Sequence, residues 1–128
     1  FFFKQKTAYE MLGDRTTSYN DDDYEYGFAL TPAGTQAYRW AAAQGKTAGP
    51  APSVQVAVTT DAEGDTVYEI AIPKDDIAPL PLRPGTSFGM NVLVNDNDEG
   101  DRLGWLEWSE GLGMFKDPSL FRIWTLQE

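Results

Sequence analysis

Residues 54–72 read VQVAVTTDAEGDTVYEIAI, and this stretch decides the fold class. Val54, Val56 and Val58 alternate with Gln55, Ala57 and Thr59. After the turn Asp61-Ala62-Glu63-Gly64 the alternation resumes, with Tyr68, Ile70 and Ile72 on one face and Val67, Glu69 and Ala71 on the other. Period-two patterning on both sides of a Gly-containing turn predicts an antiparallel hairpin. Pro73 ends its second strand. Pro73–Ile77 has room for one short helical turn, and Pro79, Pro81 and Pro84 block anything longer.

Outward from the hairpin the same period recurs. On the N-terminal side Tyr24, Tyr26, Phe28 and Leu30 alternate with Glu25, Gly27 and Ala29, which predicts a strand with one large-residue face towards a core. Thr31-Pro32-Ala33-Gly34 turns the chain, and Gln36–Ala41, carrying Tyr38 and Trp40, fits a returning partner. The Gly-, Pro- and Ala-rich run 44–53 reads as a flexible connection. On the C-terminal side Ser87–Val94 predicts one further strand, with Phe88, Met90, Val92 and Val94 facing one way. Leu103–Trp108 and Leu120–Leu126 predict two more. Six or seven short strands without a ten-residue amphipathic helix argue for an all-β chain, an antiparallel two-sheet β-sandwich. Trp40, Trp105, Trp108 and Trp124 all fall on strands, where the ordinary expectation is that they fill the sandwich core.

The composition removes several function classes. Twenty acidic against ten basic residues give a net charge of −10, which repels phosphate backbones and anionic headgroups, so neither nucleic acid nor a membrane surface is an expected partner. Cysteine and histidine are both absent. That excludes a disulfide framework, thiolate or imidazole metal ligation, an axial haem histidine and Ser-His-Asp catalysis. No apolar run approaches the roughly 18 residues that span a bilayer. An enzyme would have to use carboxylates, and a glycosidase needs two at a set separation. Glu107 and Glu110 are the nominal candidates, but nothing in the sequence sets them as a pair, and a non-catalytic module is the expectation.

Residues 1–13 are read as a non-native or disordered leader, and 14–128 as the domain. The chain opens on Phe, and FFFKQKTAYE at 1–10 resembles a translated adapter segment, which is set aside from fold reasoning; a real strand or a frayed terminus with a basic flank is the alternative.

Four segments in one order carry a family resemblance: DDDYEYGFAL at 21–30, VYEIAIPKDDI at 67–77, FGMNVLVNDNDEGDR at 88–102 and GWLEWSEGLGMFKDPSLF at 104–121. Together they resemble carbohydrate-binding module family 9. The resemblance implies a β-sandwich appended to xylanases and other secreted polysaccharide-processing proteins, hence an extracellular or periplasmic setting. It also implies a slot between aromatic side chains for the ends of sugar chains, with structural calcium nearby. Family members carry further strands ahead of the DDD loop, so front strands are expected to be missing here. The implied partners are a polysaccharide or oligosaccharide, such as xylan or cellulose, and other domains of the same parent chain. The alternative is a structural or interaction sandwich that has lost the slot.

The family's slot Trp that precedes the K/R-D-P-S motif corresponds to Phe115, followed by Lys116 and Asp117, and these three are the candidate sugar-binding residues. The opposing Trp of the family belongs to the upstream strands. Polar residues of the family on the strand after the acidic loop correspond to Gly27 and Ala29, which cannot hydrogen-bond through a side chain. A pyranose offers an apolar C–H face to an aromatic ring and hydroxyls to amide, carboxylate or guanidinium groups, which is why aromatic residues beside charged ones suit it. The loop 95–102 offers many oxygen ligands at close spacing, as calcium requires, with Asp96, Asp98 and Asp101 the candidate ligands. A solvated acidic turn fits the same residues equally well. The Asp21–Asp23 run is a second, weaker candidate.

Overall fold

The computed structural model describes residues 2–4, 19–96 and 104–128. Ten strands occur among them: β1 (Phe2–Lys4), β2 (Asp23–Thr31), β3 (Gly34–Ala41), β4 (Gly49–Pro50), β5 (Gln55–Thr60), β6 (Thr66–Ala71), β7 (Ser87–Asn91), β8 (Leu93–Asp96), β9 (Gly104–Glu107) and β10 (Arg122–Thr125). The largest sheet has six strands in the order β10-β7-β1-β2-β3-β4, with β5–β6 and β8–β9 as separate two-stranded sheets. Every pairing is antiparallel. The chain is thus all-β and antiparallel, consistent with the sandwich expected from its alternation.

The hairpin of residues 54–72 forms as its pattern predicts, with Val56 opposite Ile70 and Val58 opposite Tyr68. Its turn closes because Asp61 accepts the backbone N–H groups of Glu63 and Asp65, at 3.0 and 2.8 Å, and Gly64 takes a φ of 92° that L-residues with a Cβ disfavour. The core lies between this hairpin and the main sheet. Tyr24, Tyr26, Ala43, Ala51, Val54, Ile77, Leu80 and Phe88 are buried together, with Phe28, Val56, Ile70 and Ile72 packed against them. Each of the larger apolar side chains, Val54, Ile77, Leu80 and Phe88, stabilises the fold by roughly 2 kcal/mol on burial. The tyrosines keep their hydroxyls satisfied. Tyr26 donates to the Asp76 carbonyl at 2.7 Å and Tyr24 to the Ala78 carbonyl, which ties β2 to the short 3₁₀ turn Lys74–Asp76 and the segment after it.

Three expectations about the elements are corrected. Residues 87–94 form two strands rather than one, because Asn91 turns its side chain onto the backbone: its Oδ1 accepts the N–H of Val92 at 2.9 Å and that of Ser109 at 3.0 Å. The chain beyond leaves β7's sheet and pairs with β9 instead, so Val94 ends up exposed. The run 44–53 is not a free connection, since Gly49 and Pro50 pair with Arg39 and Tyr38. The tryptophans do not fill the core: Trp40, Trp105, Trp108 and Trp124 are 62%, 39%, 49% and 37% exposed. Tyrosine and phenylalanine of β2 and β7 take that interior space instead.

Within the segment read as a leader, Phe2–Lys4 lies between β2 and β7 and pairs with both.

Candidate functional site

The outward face of β2 begins the site. Tyr24, Tyr26 and Phe28 point to the core, so Glu25, Gly27 and Ala29 point away from it. On β3, Tyr38 lies directly across from Gly27 and therefore shares its outer face. A register irregularity between Glu25 and Tyr26 leaves Trp40 beside this pair, and the Trp40 indole spreads over Gly27: a Cβ built on Gly27 would stand 2.7 Å from Trp40 Nε1. Tyr38 supports the indole from the side, with ring centroids 4.4 Å apart. Small residues on one strand thus make room for a large ring from the next.

A cleft of about 810 Å³ opens over this face. Trp40 and Gly27 line it from the sheet, Val94 and Asn95 from β8, and Met114, Phe115 and Lys116 from the loop after β9. Its size falls within the range of about 300–1,000 Å³ usual for ligand clefts. Phe115 is 50% exposed and Trp40 more so, leaving both rings accessible to a ligand. The polar end is a charge pair, with Lys116 Nζ 2.9 Å from Glu25 Oε1. Lys116 also lies 5.9 Å from the centre of the Tyr19 ring. Burial, reinforced by the Glu25 carboxylate, pushes the Tyr19 phenol well above its ordinary range, so it stays a neutral donor.

Phe115 and Lys116, marked from the sequence, both line this cleft. Asp117 points elsewhere: it caps the 3₁₀ turn Pro118–Leu120, its Oδ1 accepting the Ser119 N–H at 3.0 Å and the Ser119 hydroxyl. Trp40 was expected in the core and proves to be a wall of the cleft. The signal that could have found it is the cross-strand company of Gly27 and Ala29, which lack the bulk to cover a neighbouring ring.

Glu107, the nominal catalytic candidate, is occupied. Its Oε1 accepts the N–H groups of Leu112 and Gly113 at 2.6 and 3.1 Å, and its Oε2 accepts Trp105 Nε1 at 3.3 Å. Both of its oxygens are thus committed to donors of its own chain rather than turned to the cleft.

For calcium, the side chains of Asp96, Asp98 and Asp101 lie outside the described residues. Among the described residues no group of three or more acidic side chains is placed to hold a metal ion. In the Asp21–Asp23 run the three carboxylates diverge in burial, with Asp21 exposed and Asp23 buried, where Oδ2 accepts the Asn20 N–H at 2.7 Å.

The profile of the carbohydrate family 9 binding domain-like family matches residues 10–128. The chain belongs to that family. No curated protein and no solved structure matched it. Domains of this family are generally non-catalytic binding modules, a character that fits a cleft walled by aromatic rings and a Glu107 spent on backbone amides. Carbohydrate is the ligand class to which the family 9 assignment points. Among the described residues of this family 9 domain, no helix is long and apolar enough to cross a membrane.

Proposed function

We propose that the cleft between β2, β8 and the 109–116 loop binds a neutral oligosaccharide or the end of a polysaccharide chain, and that the domain thereby directs a larger secreted protein to plant polysaccharide such as xylan or cellulose. One observation carries this reading: two accessible aromatic rings, Trp40 and Phe115, line one cleft together with the Glu25–Lys116 pair. Rings of this kind cover the apolar face of a pyranose, while the carboxylate and ammonium exchange hydrogen bonds with its hydroxyls. The proposal includes a structural calcium held by Asp96, Asp98 and Asp101, resting on the oxygen-rich sequence of their loop. The second reading is an interaction sandwich without sugar affinity. It is favoured by Gly27 and Ala29, which stand where the family resemblance implies hydroxyl-binding side chains.

Calorimetric titration with xylo- and cello-oligosaccharides tests this. Covering roughly 60 Å² of sugar face is worth about 1.5 kcal/mol, so Phe115→Ala and Trp40→Ala are each expected to weaken binding by about tenfold. Repeating the titration in excess EGTA is expected to lower the melting temperature and the affinity together. No heat from the folded chain with any oligosaccharide would leave the interaction reading.

A further inference from the structure

The loop that brings Phe115 to the cleft has little regular structure of its own; the Asp117 N–H closes it onto the Gly111 carbonyl at 2.9 Å, and the Glu107 carboxylate gathers the backbone just ahead of Met114. Asn91, with none of its surface exposed, holds the loop's entrance by donating to the Ser109 carbonyl at 2.6 Å and accepting the Ser109 N–H at 3.0 Å. Asn91 Nδ2 also reaches the Glu110 carbonyl at 3.4 Å, and Glu107 then holds the chain at Leu112 and Gly113. Its Oε1 takes both the Leu112 and Gly113 amides, at 2.6 and 3.1 Å, and also faces Asn91 Nδ2 at 3.3 Å. Its Oε2 takes Trp105 Nε1, which lays the indole on Gly113 so closely that no Cβ fits there. Leu112 is then buried with Phe121 and Leu93, and beyond Gly113 the residues Met114, Phe115 and Lys116 enter the cleft.

We propose that Glu107 is a positioning residue for ligand binding: its carboxylate fixes the backbone immediately before Met114 and so presents Phe115 to the cleft without touching the ligand. The inference rests on the sugar-binding reading above. Backbone N–H groups held by an ionised carboxylate make stronger hydrogen bonds than neutral pairs, and a ring must keep its place closely for stacking to contribute. The carboxylate reaches the amides from the end of a side chain with one more methylene than aspartate, so shortening it withdraws the anchor while keeping the charge.

The test compares Glu107→Asp and Glu107→Gln with the unaltered chain by oligosaccharide titration, melting temperature and amide hydrogen exchange at Leu112 and Gly113. Glu107→Gln retains an acceptor oxygen for both amides, gives up only the acceptor for Trp105 Nε1, and is expected to keep its affinity within about threefold, whereas Glu107→Asp is expected to lose about tenfold and to exchange both amides faster. Faster exchange in Glu107→Asp with unchanged affinity would overturn the positioning role and leave the sugar reading intact. Equal losses in Asp and Gln variants, with both amides still protected, would also overturn it, since the carboxylate would then act on the ligand directly. A folded, unaltered chain that binds no oligosaccharide would overturn the sugar reading and this role together.

Discussion

Gly27 gives the clearest single-residue account of how the cleft is made. Its backbone is ordinary extended strand, so the requirement for glycine is not conformational; it comes from the Trp40 indole lying across it. Glycine in a strand interior sacrifices packing and chain entropy, a cost of roughly 0.5–1 kcal/mol against alanine. The return is a flat ring held at the surface. Gly27→Ala would set a methyl 2.7 Å from Nε1 and push the indole outward, a displacement that an exposed side chain can make without disturbing the sheet. The variant is therefore expected to fold with a melting temperature close to that of the parent, while oligosaccharide affinity measured by titration falls by about three- to tenfold. An affinity unchanged alongside an altered tryptophan emission spectrum would remove Trp40 from the site. The sequence carried this relation only implicitly. Alternation placed Gly27 and Trp40 on neighbouring strands, but the pairing of Gly27 with Tyr38, and the one-residue irregularity at Glu25/Tyr26 that leaves Trp40 without a direct partner, are set by register, which alternation does not encode.

Elements whose residues bond mainly to their sequence neighbours were legible, and those that depend on a distant side chain were not. The β5–β6 hairpin carries its own turn chemistry in Asp61 and Gly64, and the β2–β3 hairpin its own turn, so both follow from local pattern. The break between β7 and β8 depends on Asn91 reaching Ser109, eighteen positions away, and a continuous run of large residues concealed it. The loop 109–117 belongs with the second kind. It closes through the Asp117 N–H to the Gly111 carbonyl at 2.9 Å, and the Asp117 side chain then starts the turn Pro118–Leu120. Asp117→Ala removes that cap and is expected to cost about 1 kcal/mol of stability, measured by urea unfolding, with Asp117→Asn losing less because it keeps an acceptor. If Asp117→Ala also weakened sugar binding by more than Phe115→Ala does, the carboxylate would count as a ligand contact, as the family resemblance implies.

For the whole molecule, the separation of aromatic types is the organising fact. Tyrosine and phenylalanine fill the interior, and the four tryptophans stand at the surface, one of them walling the cleft. Composition alone could not assign these places, because each ring is apolar enough for a core and polar enough at its edge for a surface. Placing tyrosines inside has a measurable consequence. Burial, offset in part by the Arg39 guanidinium and reinforced by Asp76, pushes the Tyr26 phenol up to about 12, and the same causes raise Tyr24 above its ordinary value. Arg39 itself is held near Asp76 at 3.4 Å and 5.6 Å from the centre of the Tyr26 ring, so the phenols, guanidinium and carboxylate form one buried polar group. In the unfolded chain the phenols ionise near 10, so the folded state keeps protons that the unfolded state gives up. Their contribution to stability is whole below about pH 10 and is lost as pH rises through about 12. The urea midpoint is accordingly expected to fall steeply between about pH 10 and pH 12, after any smaller changes at lower pH. Tyr26→Phe should flatten that fall while lowering the midpoint at neutral pH, where its hydrogen bond to the Asp76 carbonyl is lost. A midpoint in the unaltered chain that stays level through this range would mean that these phenols are reached by solvent, and that the core between β2 and the β5–β6 hairpin is looser than its packing requires.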